Sequence, residues 1–286
     1  MNIDYSKFNY SVPDIWYKGL YKDKVAPCNA GRSFSLLNDE KSEECWLLVT
    51  GFRGYPGELV RPAYDLYLEG YDVFVPRLPG CGTSTEDFIK TDNFDWINVI
   101  IHAIQDLSKK YQKINLLGHS MGAAICSIVG NNNPYVNKIV YAAPSFENLD
   151  MPWYLRFGLA GLAIIKRKTK AKWARANLHH HFYENAPSDE NYLGEQYYRW
   201  NFPKQLLMYY QIAKDGVFAL SPHEHLLICP LKDKSISVPS CKIFKKVLKD
   251  KTNIVEIEKG THFIFYDINE EAIEKACKAV IDFANK

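Results

Sequence analysis

The chain has 286 residues, with 35 basic and 33 acidic side chains, 47% apolar and 14% aromatic residues. These values exclude a disordered tail, a fibrous repeat and a dedicated nucleic-acid binder, and the length suffices for a sizeable core. The first ten residues carry no apolar signal-like stretch, and the longest clean apolar run, 157–165, has nine residues against the about 20 that a bilayer span needs.

Short apolar runs then alternate with longer helical patterns. Residues 33–37 read as an antiparallel edge strand, and 46–50 as a buried strand closed by Gly51. A helical stretch covers 58–69, a strand 71–76. Residues 94–111 place Ile97, Ile100, Ile101, Ile104 and Leu107 at helical spacing. A strand at 114–117 stops at Gly118, a helix of small residues runs over 121–129, and 139–142 is a further strand. The alternation returns with a strand at 226–229, a helix at 239–249, a strand at 254–257 and a helix at 269–285. Strand–helix alternation with nearly continuous apolar strands predicts an α/β fold: a mostly parallel central sheet with helices on both faces. Between 146 and 222 the alternation breaks down. Residues 153–218 hold 14 aromatics in 66 positions and no convincing strand, which predicts a helical cap inserted into a core of 1–145 and 223–286.

Seven cysteines stand singly at 28, 45, 81, 126, 229, 241 and 277, with no CxxC pair. The expectation is reduced thiols in a cytoplasmic protein, with neither cofactor nor metal. The His179–His180–His181 tract reads as a solvated or packed face, because three adjacent rings cannot reach one ion from a helix.

Gly118-His119-Ser120-Met121-Gly122 sits between a strand and a helix, the context that a Gly-x-Ser-x-Gly nucleophile elbow requires. Gly118 and Gly122 relieve crowding around a strained turn, and Ser120 then projects above the sheet at a helix N-terminus. A serine hydroxyl needs a base, and the base an orienting acid. After the insertion, Asp233 follows the strand at 226–229 and His262 the strand at 254–257, each at the end of a parallel strand where such sheets assemble their sites. Asp215 and Glu258 are the alternative acids. His102 falls in a helix, His223 and His225 precede a strand, and the elbow aims His119 elsewhere. The loop Thr50-Gly51-Phe52-Arg53-Gly54 offers the Phe52 amide as an oxyanion donor beside that of Met121.

The runs 49–56, 70–76, 77–84 and 118–122 together resemble the α/β-hydrolase superfamily, most closely bacterial carboxylesterases and monoacylglycerol lipases. The resemblance covers 45–145 and 224–286, and the insertion by position alone. It implies ester hydrolysis through an acyl-enzyme, with Ser120, Asp233 and His262 as the triad. A thioesterase or peptidase of the same scaffold, or a ligand-binding protein without turnover, are the alternatives. Two positions depart from the family pattern: Thr50 and Cys81 stand where it usually has histidines. The apolar aromatic cap favours a small-molecule ester or lipid with a hydrophobic acyl group. Residues 151–183 carry seven basic side chains and no acid, leaving −5 for the rest of the +2 chain. An apolar stretch followed by a basic cluster suits contact with an anionic lipid surface.

Overall fold

The computed structural model describes residues 2–40, 42–146, 153–165, 169–170, 200–219, 223–233, 237–248, 252–266 and 269–286. A seven-stranded sheet runs through it. In chain order the strands are β1 (Phe34–Leu36), β2 (Glu44–Val49), β3 (Asp72–Val75), β4 (Lys113–His119), β5 (Val136–Ala142), β8 (Glu224–Pro230) and β9 (Thr252–Ile257). Their spatial order is β1-β3-β2-β4-β5-β8-β9. Only β1 pairs antiparallel, as the edge strand expected at 33–37; every other pairing is parallel. Two short strands, β6 (Thr169–Lys170) and β7 (Trp200–Asn201), form a separate antiparallel ladder between β5 and β8 in the chain, where the sequence indicated none.

The continuous apolar strands are explained by burial on both faces. In β2, Cys45, Leu47 and Val49 join one core, while Trp46 and Leu48 join the other. Helices α3 (Asn93–Leu107) and α4 (Met121–Gly130), with α6 (Pro203–Phe218) and α7 (Ser237–Leu248), supply the first core. Helices α1 (Val60–Leu68) and α8 (Glu270–Ala284) cover the other face. The remaining α-helices among the described residues are a short α2 (Thr85–Phe88) and α5 (Trp153–Ile165). Helix α3 opens on a capping box between Asp92 and Asp95. Its buried stripe is Trp96, Val99, Ile100, Ala103, Ile104 and Leu107, so the helix is turned from the expected face, and Ile97 and Ile101 are only half-buried.

Of residues 146–222, α5, the β6–β7 ladder and α6 fall within the described residues; 171–199, including the triple histidine, lie outside them. Helix α6 packs on α4, directly behind the elbow. Ser127 Oγ donates to the Gly216 carbonyl at 2.8 Å, and a Cβ on Gly216 would meet Ala124 Cβ at 2.7 Å.

The expectation of seven reduced thiols is corrected at one pair. Cys229 at the end of β8 and Cys241 in α7 are joined as a disulfide, with Cα atoms 6.3 Å apart. The strand-to-helix turn folds α7 back onto β8, so positions 12 residues apart become neighbours.

The N-terminal segment straps the loops beside the site, a role invisible in its own sequence. Asp23 pairs with Arg77 at 2.5 Å and accepts the Gly80 amide at 2.8 Å. Asp87 accepts the Tyr21 hydroxyl and the Lys24 and Val25 amides at 2.9–3.1 Å. Burial pushes the Asp87 pKa up, and these donors outweigh it, leaving the carboxyl below its usual range. Asp87→Ala therefore costs about 2 kcal/mol, discounted because the strap is partly exposed. Chemical denaturation measures it; an unchanged midpoint would contradict the strap.

Candidate active site

Strand β4 ends at His119 and α4 begins at Met121, which leaves Ser120 alone in the turn at φ 56°, ψ −119°. Such a left-handed serine stores about 1–3 kcal/mol of strain and persists because its surroundings over-determine it. Those surroundings exclude side chains at both flanking glycines. A Cβ on Gly118 would lie 2.4 Å from the Ala123 nitrogen, and one on Gly122 2.2 Å from the Val49 carbonyl oxygen. The Ser120 amide donates to Ala142 at 3.0 Å, and its carbonyl accepts from Ala123 and Ser145.

The three side chains expected to act together do meet. Ser120 Oγ–H donates to His262 Nε2 at 2.9 Å, and His262 Nδ1–H donates to Asp233 Oδ2 at 2.6 Å. This is the tautomer that satisfies both partners at once. The Asp233 side chain is fully buried and that of His262 is 16% exposed. Their loops are stitched together: Leu231 N–H donates to the Ile257 carbonyl and Lys232 N–H to that of Gly260, each at 2.9 Å. The alternative acids sit apart from this network: Asp215 is exposed on α6 and accepts from Gln211 at 2.7 Å, and Glu258 is exposed. His102 and His223 bond the carbonyls of Trp16 and Gly130, and His225 stacks on Tyr141.

The loop after β2 passes against Ser120. A Cβ on Gly51 would meet Ser120 Cβ at 2.9 Å. Gly54 N–H closes the turn on the Gly51 carbonyl at 3.0 Å, with Arg53 in the left-handed region at φ 62°. The Phe52 ring is fixed by Phe88, Trp96 and Tyr209, at centroid distances of 5.6, 5.9 and 5.1 Å. Met121 is the first residue of α4, so its N–H has no intrahelical acceptor. Thr50 is fully buried, and its hydroxyl has no hydrogen-bond partner among the described residues.

Cys81 is a packed thiol rather than a reactive one. It is fully buried, and burial pushes its pKa up to about 12 against the partial opposition of Arg77. Its sulfur accepts the Arg53 amide, so it supports the loop at 50–54 from below.

Two contacts were absent from the sequence reading. Tyr209 of α6 is hydrogen-bonded to Ser145, whose own amide bonds the Ser120 carbonyl. The Tyr209 ring also backs Phe52, so one residue of α6 touches both sides of the site. The second is His119: its ring Nε2 lies 2.7 Å from the His262 carbonyl oxygen. Only the elbow position next to Ser120 hinted at either, because both depend on pairings across 64 and 143 residues.

Burial, and then the neighbouring His262, lower the His119 pKa from 6.5 to about 3, with the hydrogen bond and Asp233 opposing. Between those values the unfolded chain binds a proton that the fold does not. Stability from His119 is therefore complete above pH 6.5 and lost as pH falls toward 3, at up to about 1.4 kcal/mol per unit. Unfolding midpoints from pH 7 to 4 should fall steeply in the wild type and less in His119→Gln; parallel curves would contradict this.

The alpha/beta hydrolase family model matches residues 42–276. A thermostable monoacylglycerol lipase of Bacillus sp. (strain H-257) is 36% identical over 107 residues, which is 37% of this chain and 41% of that protein. The match thus spans less than half of that relative. A monoacylglycerol lipase from Paleococcus ferrophilus superposes with a TM-score of 0.65 at 16% identity, over 88% of this chain and 96% of that one. A soluble variant of monoglyceride lipase from Saccharomyces cerevisiae does so with 0.66 at 15%, over 93% and 95%. A thioesterase domain from the curacin biosynthetic pathway gives 0.61 at 14%, over 91% and 99%. At such identities the superpositions speak for the fold. The family match over most of the chain adds the sequence to that likeness: this protein belongs to the alpha/beta hydrolase family.

Proposed function

We propose that the chain is a serine hydrolase of carboxylic esters with hydrophobic acyl groups. The observation that carries this is the unbroken hydrogen-bonded series Ser120–His262–Asp233, with the serine on a strained elbow at a helix start. His262 Nε2 takes the Ser120 proton as Oγ attacks the carbonyl carbon, and buried Asp233 stabilises the imidazolium that results. The Phe52 and Met121 amides hold the oxyanion. Collapse of the tetrahedral intermediate breaks the ester C–O bond, and His262 gives its proton to the departing alcohol. Water, deprotonated by His262, then attacks the acyl-enzyme, and Ser120 leaves with the proton returned. The rings of Phe52, Phe88, Trp96 and Tyr209 gathered beside the nucleophile favour an apolar acyl chain over a sugar or peptide. The lipase relatives support the same choice. Nitrophenyl esters and monoglycerides of graded chain length, run beside a thioester and a peptide amide, test the reading. Faster turnover of the thioester or the amide would reassign the substrate, and no turnover of any would return the chain to ligand binding.

The insertion at 146–222 serves in this reading as a cap that meets the substrate's lipid surface. Tyr154, Phe157, Leu162 and Ile164 of α5 are 58, 73, 42 and 87% exposed. The spacing of Tyr154, Phe157 and Ile164 puts these three on one face of the helix, with Gly161 between them and Leu162 on its flank. The basic run Lys166, Arg167, Lys168, Lys170 and Lys172 follows at once in the sequence. An exposed apolar helix face beside a cationic cluster fits an anionic interface. Co-sedimentation with phosphatidylglycerol-containing vesicles, and its loss in a Phe157→Glu/Ile164→Glu variant, is the expected result. Equal sedimentation of both proteins would overturn it.

A further inference from the structure

His262 is held at three points, and one of them lies outside the triad. Its ring takes the Ser120 proton and donates to Asp233, while its main-chain carbonyl, 2.7 Å from the His119 ring, receives a third bond. A carbonyl can only accept, so His119 Nε2 carries the proton. The other nitrogen, Nδ1, is buried with no hydrogen-bond partner among the described residues. A buried nitrogen left unpaired is costly, and native folds retain few of them. The ring is only 2% exposed and is enclosed by three others: His262 at 5.2 Å, and Phe265 and Tyr266 each at 6.4 Å.

The position matters as much as the bond. His119 is the last residue of β4, bonded covalently to Ser120, and β4 is a central strand paired on both sides. His262 rides on a loop after β9, the edge strand of the sheet. The Asp233 loop ties the front of that loop at Gly260. The His119 bond ties it at His262 itself, to the same strand end that carries the nucleophile.

We propose that His119 is a positioning residue, whose Nε2–H fixes the main chain of the catalytic histidine relative to Ser120. This rests on His262 acting as the base of the proposed ester hydrolysis. A rigid strand thereby sets the Ser120–His262 separation, in place of a loop that could drift. The same burial that keeps His119 neutral suits the task. A second positive ring 5.2 Å from His262 would oppose the imidazolium that each half-reaction forms, and Asp233 is the carboxylate available to one of them.

The test compares His119→Leu, His119→Asn and His119→Gln. A glutamine amide reaches about as far as Nε2 and can donate to the same carbonyl; an asparagine is one bond short. Misplacing a catalytic group by about 1 Å costs on the order of 100-fold, so His119→Leu and His119→Asn should lose about 30- to 100-fold in kcat with KM nearly unchanged. Fluorophosphonate labelling of Ser120 should slow by the same factor, and His119→Gln should regain most of the loss. If the leucine variant does not fold, the asparagine–glutamine pair decides. Hydrogen exchange over 260–266 gives a readout independent of turnover: faster in the asparagine variant, restored in the glutamine variant. Equal kcat and equal exchange in asparagine and glutamine variants would overturn the proposal. A wild type that neither turns over esters nor takes up the probe would overturn the esterase reading instead, leaving the exchange result to judge His119.

Discussion

Ser120→Ala should lower ester turnover by about 10⁵- to 10⁶-fold and abolish fluorophosphonate labelling, with the fold intact. The size follows from the arrangement. The Ser120 hydroxyl lies 2.9 Å from His262 Nε2, and nothing on an alanine can form the acyl-enzyme. Stability should change by no more than about 1 kcal/mol, because the lost interaction is a single hydrogen bond and the strained backbone at φ 56° suits alanine no worse than serine. The double variant Ser120→Ala/His262→Ala should be no slower than either single one, since the two groups act as a unit. What survives comes from the oxyanion donors and from binding. Stopped assays with a nitrophenyl ester, paired with probe labelling on a gel, measure both effects. Labelling that persisted in the alanine variant would remove Ser120 from the mechanism.

The elements that proved legible in the sequence are those fixed by local pattern. The main sheet strands announced themselves as short apolar runs because both sheet faces are covered, and each stopped at or near a glycine or a polar turn. The elbow was legible because its chemistry needs Gly118 and Gly122 within two residues of Ser120, and close approach to Val49 and Ala123 is what forbids any other residue. Asp233 and His262 stand out in the sequence by their place after strands, a topological rule rather than a local one, and the structure brings both together with Ser120. What stayed hidden depends on long-range pairing. Nothing in residues 20–28 indicates that Asp23 and Asp87 will bind that segment to the loops at 77–88. Nothing in the cysteine spacing distinguishes Cys229 and Cys241 from the other five; only the turn between β8 and α7 joins them. The tilt of the α3 stripe toward Trp96 and Val99 was obscured because isoleucines occupy both the buried and the half-buried sides. Elbow geometry predicts only that the His119 side chain is aimed elsewhere than Ser120, and in the structure the ring turns toward the main chain of His262.

Asp233→Asn is the second large effect, and it separates the buried acid from its two sequence alternatives. The variant should lose about 10³- to 10⁴-fold in kcat while KM stays nearly level. The reason is tautomeric. The Asp233 carboxylate can only accept, so it requires the proton on His262 Nδ1 and leaves Nε2 bare to receive the Ser120 proton. An asparagine can turn its NH₂ toward Nδ1 and so favour the opposite tautomer, with the proton on Nε2. Serine then faces a donor and loses its base. The Asp233 side chain is fully buried, so solvent does not compensate the lost charge. Asp215→Asn and Glu258→Gln should each stay within about twofold of wild type, because both carboxylates are exposed and outside the triad's hydrogen bonds. Steady-state kinetics on the three variants, each checked for folding by circular dichroism, decides among them. Retention of more than about a tenth of wild-type kcat in Asp233→Asn, with a collapse in either of the others, would move the acid elsewhere.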